Sequence, residues 1–156
     1  MKNSPLSARA GFVPLLLASL LVGLFAGCQS PNGTGSHRLA SVMIKNRPVR
    51  DIEAATEIVF TEYGYKMQRT GPQRFTFEKE GTTMNQMAYG DWSGKPVQVR
   101  VQLNIREVNA TETLVECDAY MVASPGGGQF EEATKLSMFR KGPYQELLND
   151  IKARLK

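Results

Sequence analysis

The side chains able to do nucleophilic or soft-metal chemistry are few: two thiols, Cys28 and Cys117, and one imidazole, His37. Cys117 lies in Val115-Glu116-Cys117-Asp118-Ala119-Tyr120-Met121, on the same parity as Val115, Ala119 and Met121. That is the apolar side of a strand, where a thiol packs as a small hydrophobe, away from any base that could activate it. His37 has no second His, and no Cys other than these two, with which to build a common zinc site, and it follows a stretch too loose for a triad. Carboxylates are scattered; Glu78, Asp91 and Glu116 would have to converge in space to act as an acid–base set. The chain therefore shows no catalytic, cofactor or metal constellation. Residues 80–96 concentrate a different chemistry, with Tyr89 and the sole Trp92 inside Tyr89-Gly90-Asp91-Trp92-Ser93-Gly94. Aromatic anchors on a Gly-containing loop suit a binding hot spot, and equally suit capping one end of a small core.

Cys28 has a second context. Residues 1–9 carry Lys2 and Arg9, and from Gly11 to Gly27 no charge interrupts a Leu-rich run. A positive flank, a short apolar run and small residues at its end read as a secretory signal peptide, residues 1–27. The run closes as Leu24-Phe25-Ala26-Gly27-Cys28, which resembles the lipobox of bacterial lipoprotein precursors, with Phe25 where Leu is usual. The resemblance covers only the leader and Cys28. It implies a diacylglyceryl thioether on Cys28, cleavage before it and acylation of the new amine. Two or three acyl chains anchor a protein stably, where one binds reversibly. The same resemblance implies an outer-membrane destination facing the periplasm, because Gln29 is not the Asp associated with retention at the inner membrane.

The charge balance agrees with an address more than with a charged partner. The chain has 19 basic and 15 acidic residues, and two of the basic ones belong to the leader. The remaining small positive balance is spread along the chain, so nucleic acid is not the expected partner. Ser30-Pro31-Asn32-Gly33-Thr34-Gly35-Ser36 has the composition of a flexible linker. Residues 28–38 thus read as lipidated Cys and tether, the ten residues after Cys28 reaching at most about 35 Å. A single domain is expected over residues 39–156.

What positions these residues follows from hydrophobic period. Residues 39–44 read as a strand, and Ile52, Ala55, Val59 and Tyr63 recur at helical spacing over 48–63, with Asn46 or Arg47 as cap and Gly64 as stop. Residues 65–68 and 74–78 read as a hairpin through Gly71-Pro72, with Phe75 and Phe77 inward. Residues 97–106 alternate without exception, apolar at odd and polar at even positions. That pattern favours an antiparallel sheet covered on one face. Its partner is 113–122. Odd must pair with odd to put both apolar sets on one side, so this hairpin needs an odd loop or a bulge. Arg100 is then expected beside Asp118 or Tyr120, and Asn104 beside Glu116 or Leu114, on a wet face where such contacts contribute little. Residues 125–128 form a turn, 129–137 a short edge strand, and Pro143 opens a last helix with Tyr144, Leu147, Leu148, Ile151 and Leu155 on one stripe.

The order β-α-β-β-β-β-α, with a further edge strand, predicts an α+β two-layer sandwich of five to six antiparallel strands and two helices on one face. By topology alone it resembles the helix-grip-like domains of a lipoprotein subunit of the outer-membrane barrel assembly machine, an analogy that transfers no residues. The expected function is that of an envelope lipoprotein, membrane-bound through Cys28, whose non-catalytic domain contacts another envelope protein or supports an assembly. A small-molecule or lipid carrier is the alternative, for which an apolar cavity between sheet and helices is required; a cell-wall hydrolase comes third.

Overall fold

The computed structural model describes residues 37–90, 94, 96–126 and 131–156. The leader, Cys28, most of the tether, Asp91 and Trp92 lie outside the described residues. Among the described residues six strands and three α-helices follow in the order β1 (Ala40–Lys45), α1 (Val49–Glu62), β2 (Lys66–Gly71), β3 (Arg74–Glu80), α2 (Thr83–Tyr89), β4 (Gln98–Asn109), β5 (Glu112–Ala123), β6 (Glu132–Lys135) and α3 (Lys141–Arg154). The strands form one antiparallel sheet, β1-β5-β4-β3-β2, with β6 also paired to β5. This is the α+β class that the alternating and helical periods predict.

Strand β5 pairs with three others, β1, β6 and β4. Its outer edge takes β1 along residues 112–117 and β6 along residues 120–123. On its other side β4 pairs Val99 with Met121, Val101 with Ala119, Leu103 with Cys117 and Ile105 with Val115, so odd meets odd. The loop itself has two residues, Ala110 and Thr111, which alone would mismatch the faces. A bulge between Glu107 and Asn109 restores parity, and the Asn109 side chain stiffens the turn by accepting from the Thr111 amide at 2.9 Å.

Helices α1 and α3 cover the odd-numbered face. Ile52, Ala55, Val59 and Phe60 of α1, and Tyr144, Leu147, Leu148 and Ile151 of α3, are buried against Phe75, Phe77, Val101, Leu103 and Cys117. Phe60 stacks on Phe77 with centroids 4.0 Å apart. The first free edge of the sheet is closed by the second layer: Gln145 of α3 donates to the Ser41 carbonyl at 2.9 Å and accepts from its amide at 3.4 Å. This satisfies backbone groups that an edge strand would otherwise leave to another chain.

Helix α1 begins one residue later than the expected cap. Pro48 is the N-cap, extended at φ −61° and ψ 143°, and its carbonyl accepts from Asp51 at 3.1 Å and Ile52 at 3.2 Å. A proline φ suits either a cap or a first helical residue, and the extended ψ is what makes Pro48 the cap. Gly64 ends the helix at φ +80°, as its position suggests. Gly64 donates to Thr61 and Tyr65 to Phe60, the paired bonds of a Schellman turn, while the Tyr65 and Phe60 rings meet edge-on at 5.3 Å. Helix α3 starts two residues before Pro143, after a 3-10 turn at Met138–Arg140. Pro143 still falls in the first turn, where no amide has an intrahelical acceptor.

Candidate functional site

Two places on the sheet hold charge in unusual surroundings, one on each face. The first is on the open face, in the notch of β5 between the end of β1 and the end of β6. Asp118 points there and is 1% exposed. Its carboxylate accepts from the Leu39 amide at 3.0 Å and pairs with Arg38 at 2.8 Å and Lys135 at 3.0 Å. Leu39 and Arg38 lead into β1, and Lys135 ends β6, so one carboxylate joins both strands that share the β5 edge. Burial pushes the Asp118 carboxyl up, but the hydrogen bonds from Arg38, Lys135 and Leu39 outweigh it and hold the group below its ordinary value.

The neighbouring residues on that face are also less wet than alternation suggests. Leu114, Glu116 and Val122 are buried with Asp118. Register places Tyr120 opposite Arg100 and Glu116 opposite Asn104. Arg100 pairs across the sheet with Glu78 and also with Glu131, and Arg38 approaches Glu116 at 3.7 Å. Glu78 and Glu116 are thus met by different arginines and do not form an acid–base pair; Asp91 lies outside the described residues. Among the described residues no group of three His, Cys, Asp or Glu could hold a metal ion. Cys117 is 1% exposed, and burial pushes its thiol up to about 12, so it stays protonated and inert at neutral pH.

The second place is a groove of about 420 Å³ on the helix face, at the end of the sheet beside α2 and the start of α3, over core residues that are themselves nearly buried. Its floor is the cross-strand row Lys79, Val99 and Met121, with Leu136 beside it and Tyr65 and Tyr144 in its walls. Lys79 follows Phe75 and Phe77 on the inward parity of β3, so a cation stands where the pattern calls for an apolar residue. Its ammonium lies 4.2 Å over the Tyr65 ring and donates to the Tyr63 carbonyl at 3.5 Å. Burial lowers its proton affinity, with no carboxylate of the described residues acting against that. Burial likewise raises the Tyr144 phenol to about 12. Phe139, 99% exposed, stands at the mouth with Arg140, and Glu146 lies on the α3 side.

Tyr89 ends α2, half-buried and packed against the core; Trp92, its companion in the sequence, lies outside the described residues. The helix that carries Tyr89 falls in a segment whose composition reads as a loop. Its signal is local: the Thr82 hydroxyl accepts from the Asn85 amide at 3.3 Å as an N-cap. It ends where a Cβ at Gly90 would stand 2.4 Å from the Gln86 carbonyl oxygen, an approach only glycine allows. Asn85 and Thr82 face the groove, while Met84 and Met87 are 74% and 79% exposed.

No helix among the described residues is long and apolar enough to cross a membrane. No family model matches the chain, and no curated protein does. Among solved structures, the adenylate sensor from AMP-activated protein kinase, in complex with 5-aminoimidazole-4-carboxamide 1-beta-D-ribofuranotide, is similar with a TM-score of 0.44 and 12% identity over 74% of this chain and 94% of that one. A likeness of that degree carries no argument about this chain's ligand or activity.

Proposed function

We propose that this chain is a lipoprotein of the cell envelope, held to the outer membrane through lipid on Cys28 and facing the periplasm, whose folded domain is a non-catalytic binding module. The observation that carries the binding role is the open apolar groove between the sheet and α3, ending in an inward-facing lysine. An apolar concavity with a few polar groups is the usual form of a ligand site. It favours the small-molecule or lipid-binding reading over simple assembly support. Contact with another envelope protein is the second reading, favoured by the outward Met84 and Met87 of α2, since exposed thioethers adapt to varied surfaces.

A photo-crosslinking residue in place of Phe139, compared with one in place of the exposed Arg106 on the open face, separates the readings inside living cells. Groove binding yields a small mass addition from position 139 and none from 106. A protein adduct from a third probe, in place of the exposed Met87, would support the second reading, and adducts from 106 alone would remove both. Anchoring is tested separately: labelled fatty acid incorporated into the chain must disappear in Cys28→Ala.

A further inference from the structure

Across the groove floor, Lys79 pairs in register with Val99, and Val99 with Met121. Neighbouring strands lie about 4.8 Å apart, so from β3 to β5 the backbone of this row spans about 10 Å. Leu136 extends the apolar end beyond Met121. One end of the groove is therefore cationic and the rest of its floor aliphatic. Arg140 and Glu146, of opposite sign, flank the mouth, which leaves Lys79 as the charge set against the floor. Lys79 is half-buried, over the Tyr65 ring and against the Tyr63 carbonyl, in surroundings that would hold an anion more firmly than open water does.

We propose that the groove binds a single-chain amphiphile with an anionic head, its hydrocarbon lying over Val99, Met121 and Leu136 and its head on the Lys79 ammonium. This rests on the groove being a binding site and adds the class of its occupant. A volume of about 420 Å³ falls in the range of small-molecule sites, and one cation set in the floor row, apart from the exposed Arg140, matches a ligand with one head. The cation–ring contact at 4.2 Å orients the ammonium.

The full chain, held in phosphatidylcholine nanodiscs and labelled at its methionine methyls, provides the test. Octanoate and octan-1-ol serve as probes, matched in length to the floor and differing in charge. Octanoate should shift the Met121 methyl saturably and leave Met43, on the other face, in place. Lys79→Gln should weaken octanoate about fivefold, while Lys79→Arg retains it and neither variant changes octanol. If octanoate and octanol bind alike and Lys79→Gln weakens neither, the anionic head is wrong although the groove still binds. If neither probe moves Met121, the groove is not a binding site and both readings fall.

Discussion

Asp118 and Lys79 are both charged residues that the fold withdraws from water, on opposite faces of one sheet, and they are treated in opposite ways. Asp118 meets two cations and a backbone amide within 3.0 Å. Lys79 meets an aromatic face and one carbonyl at 3.5 Å. A buried charge whose hydrogen bonds are all made by its own chain holds structure together. One left with an incomplete set of partners at the edge of a groove weakens the fold slightly, and that cost has a use only if something else binds there. The difference separates a structural charge from a ligand-seeking one without any catalytic motif.

The largest effect should come from Asp118→Ala. It removes the hydrogen bond to Leu39 and frees both edge strands, at a cost of about 2 kcal/mol in urea unfolding; Arg38 and Lys135 are exposed enough to regain water, which keeps the cost below that of a fully buried pair. A loss under 0.5 kcal/mol, within the range of ordinary surface changes, would reduce the notch to decoration. Acid sharpens the same point. The folded Asp118 carboxyl sits below its ordinary value, so its contribution is complete above the usual carboxylate range and disappears as pH falls through the folded value. The stability gap between the native chain and Asp118→Asn should therefore narrow below about pH 4. A gap independent of pH would mean that the carboxylate's charge contributes nothing.

Arg38→Ala should cost less than Asp118→Ala, about 0.5–1 kcal/mol, because the guanidinium is half-exposed and Lys135 still neutralises the acid. Alkylation kinetics offer a check on the core beneath. Cys117 should resist iodoacetamide in the native state and react at the rate of global unfolding. Fast modification in the absence of denaturant would show that β5 opens locally at the notch.

How far these features can be read from sequence depends on how local they are. The alternation of residues 97–105 and the parity argument require an odd loop or a bulge between β4 and β5 without any structure, because both concern one hairpin; the bulge is the one the fold uses. Lys79 is also legible in principle, since Phe75, Phe77 and Lys79 share a parity and the last breaks the apolar pattern. Asp118 is not legible in the same way. By parity it belongs to the wet face, and its burial arises from β1 and β6 meeting the same edge, with Arg38 coming from 80 residues away. Helix α2 has a readable cap in Thr82, hidden by the methionines and aromatics that make the segment resemble a loop. Which aromatics face a core is decided by that helix's rotation, which seven residues are too few to establish by period.

The smallest expected change tests the central claim most directly: the unfolding free energy of Lys79→Met, measured in urea beside the native chain at neutral pH. A lysine whose charge is held at a cost for binding should be replaceable by an isosteric apolar residue with stability equal to the native value or higher by up to about 0.5 kcal/mol. A loss exceeding 1 kcal/mol would contradict the account, because Lys79 would then be holding the fold together just as Asp118 does.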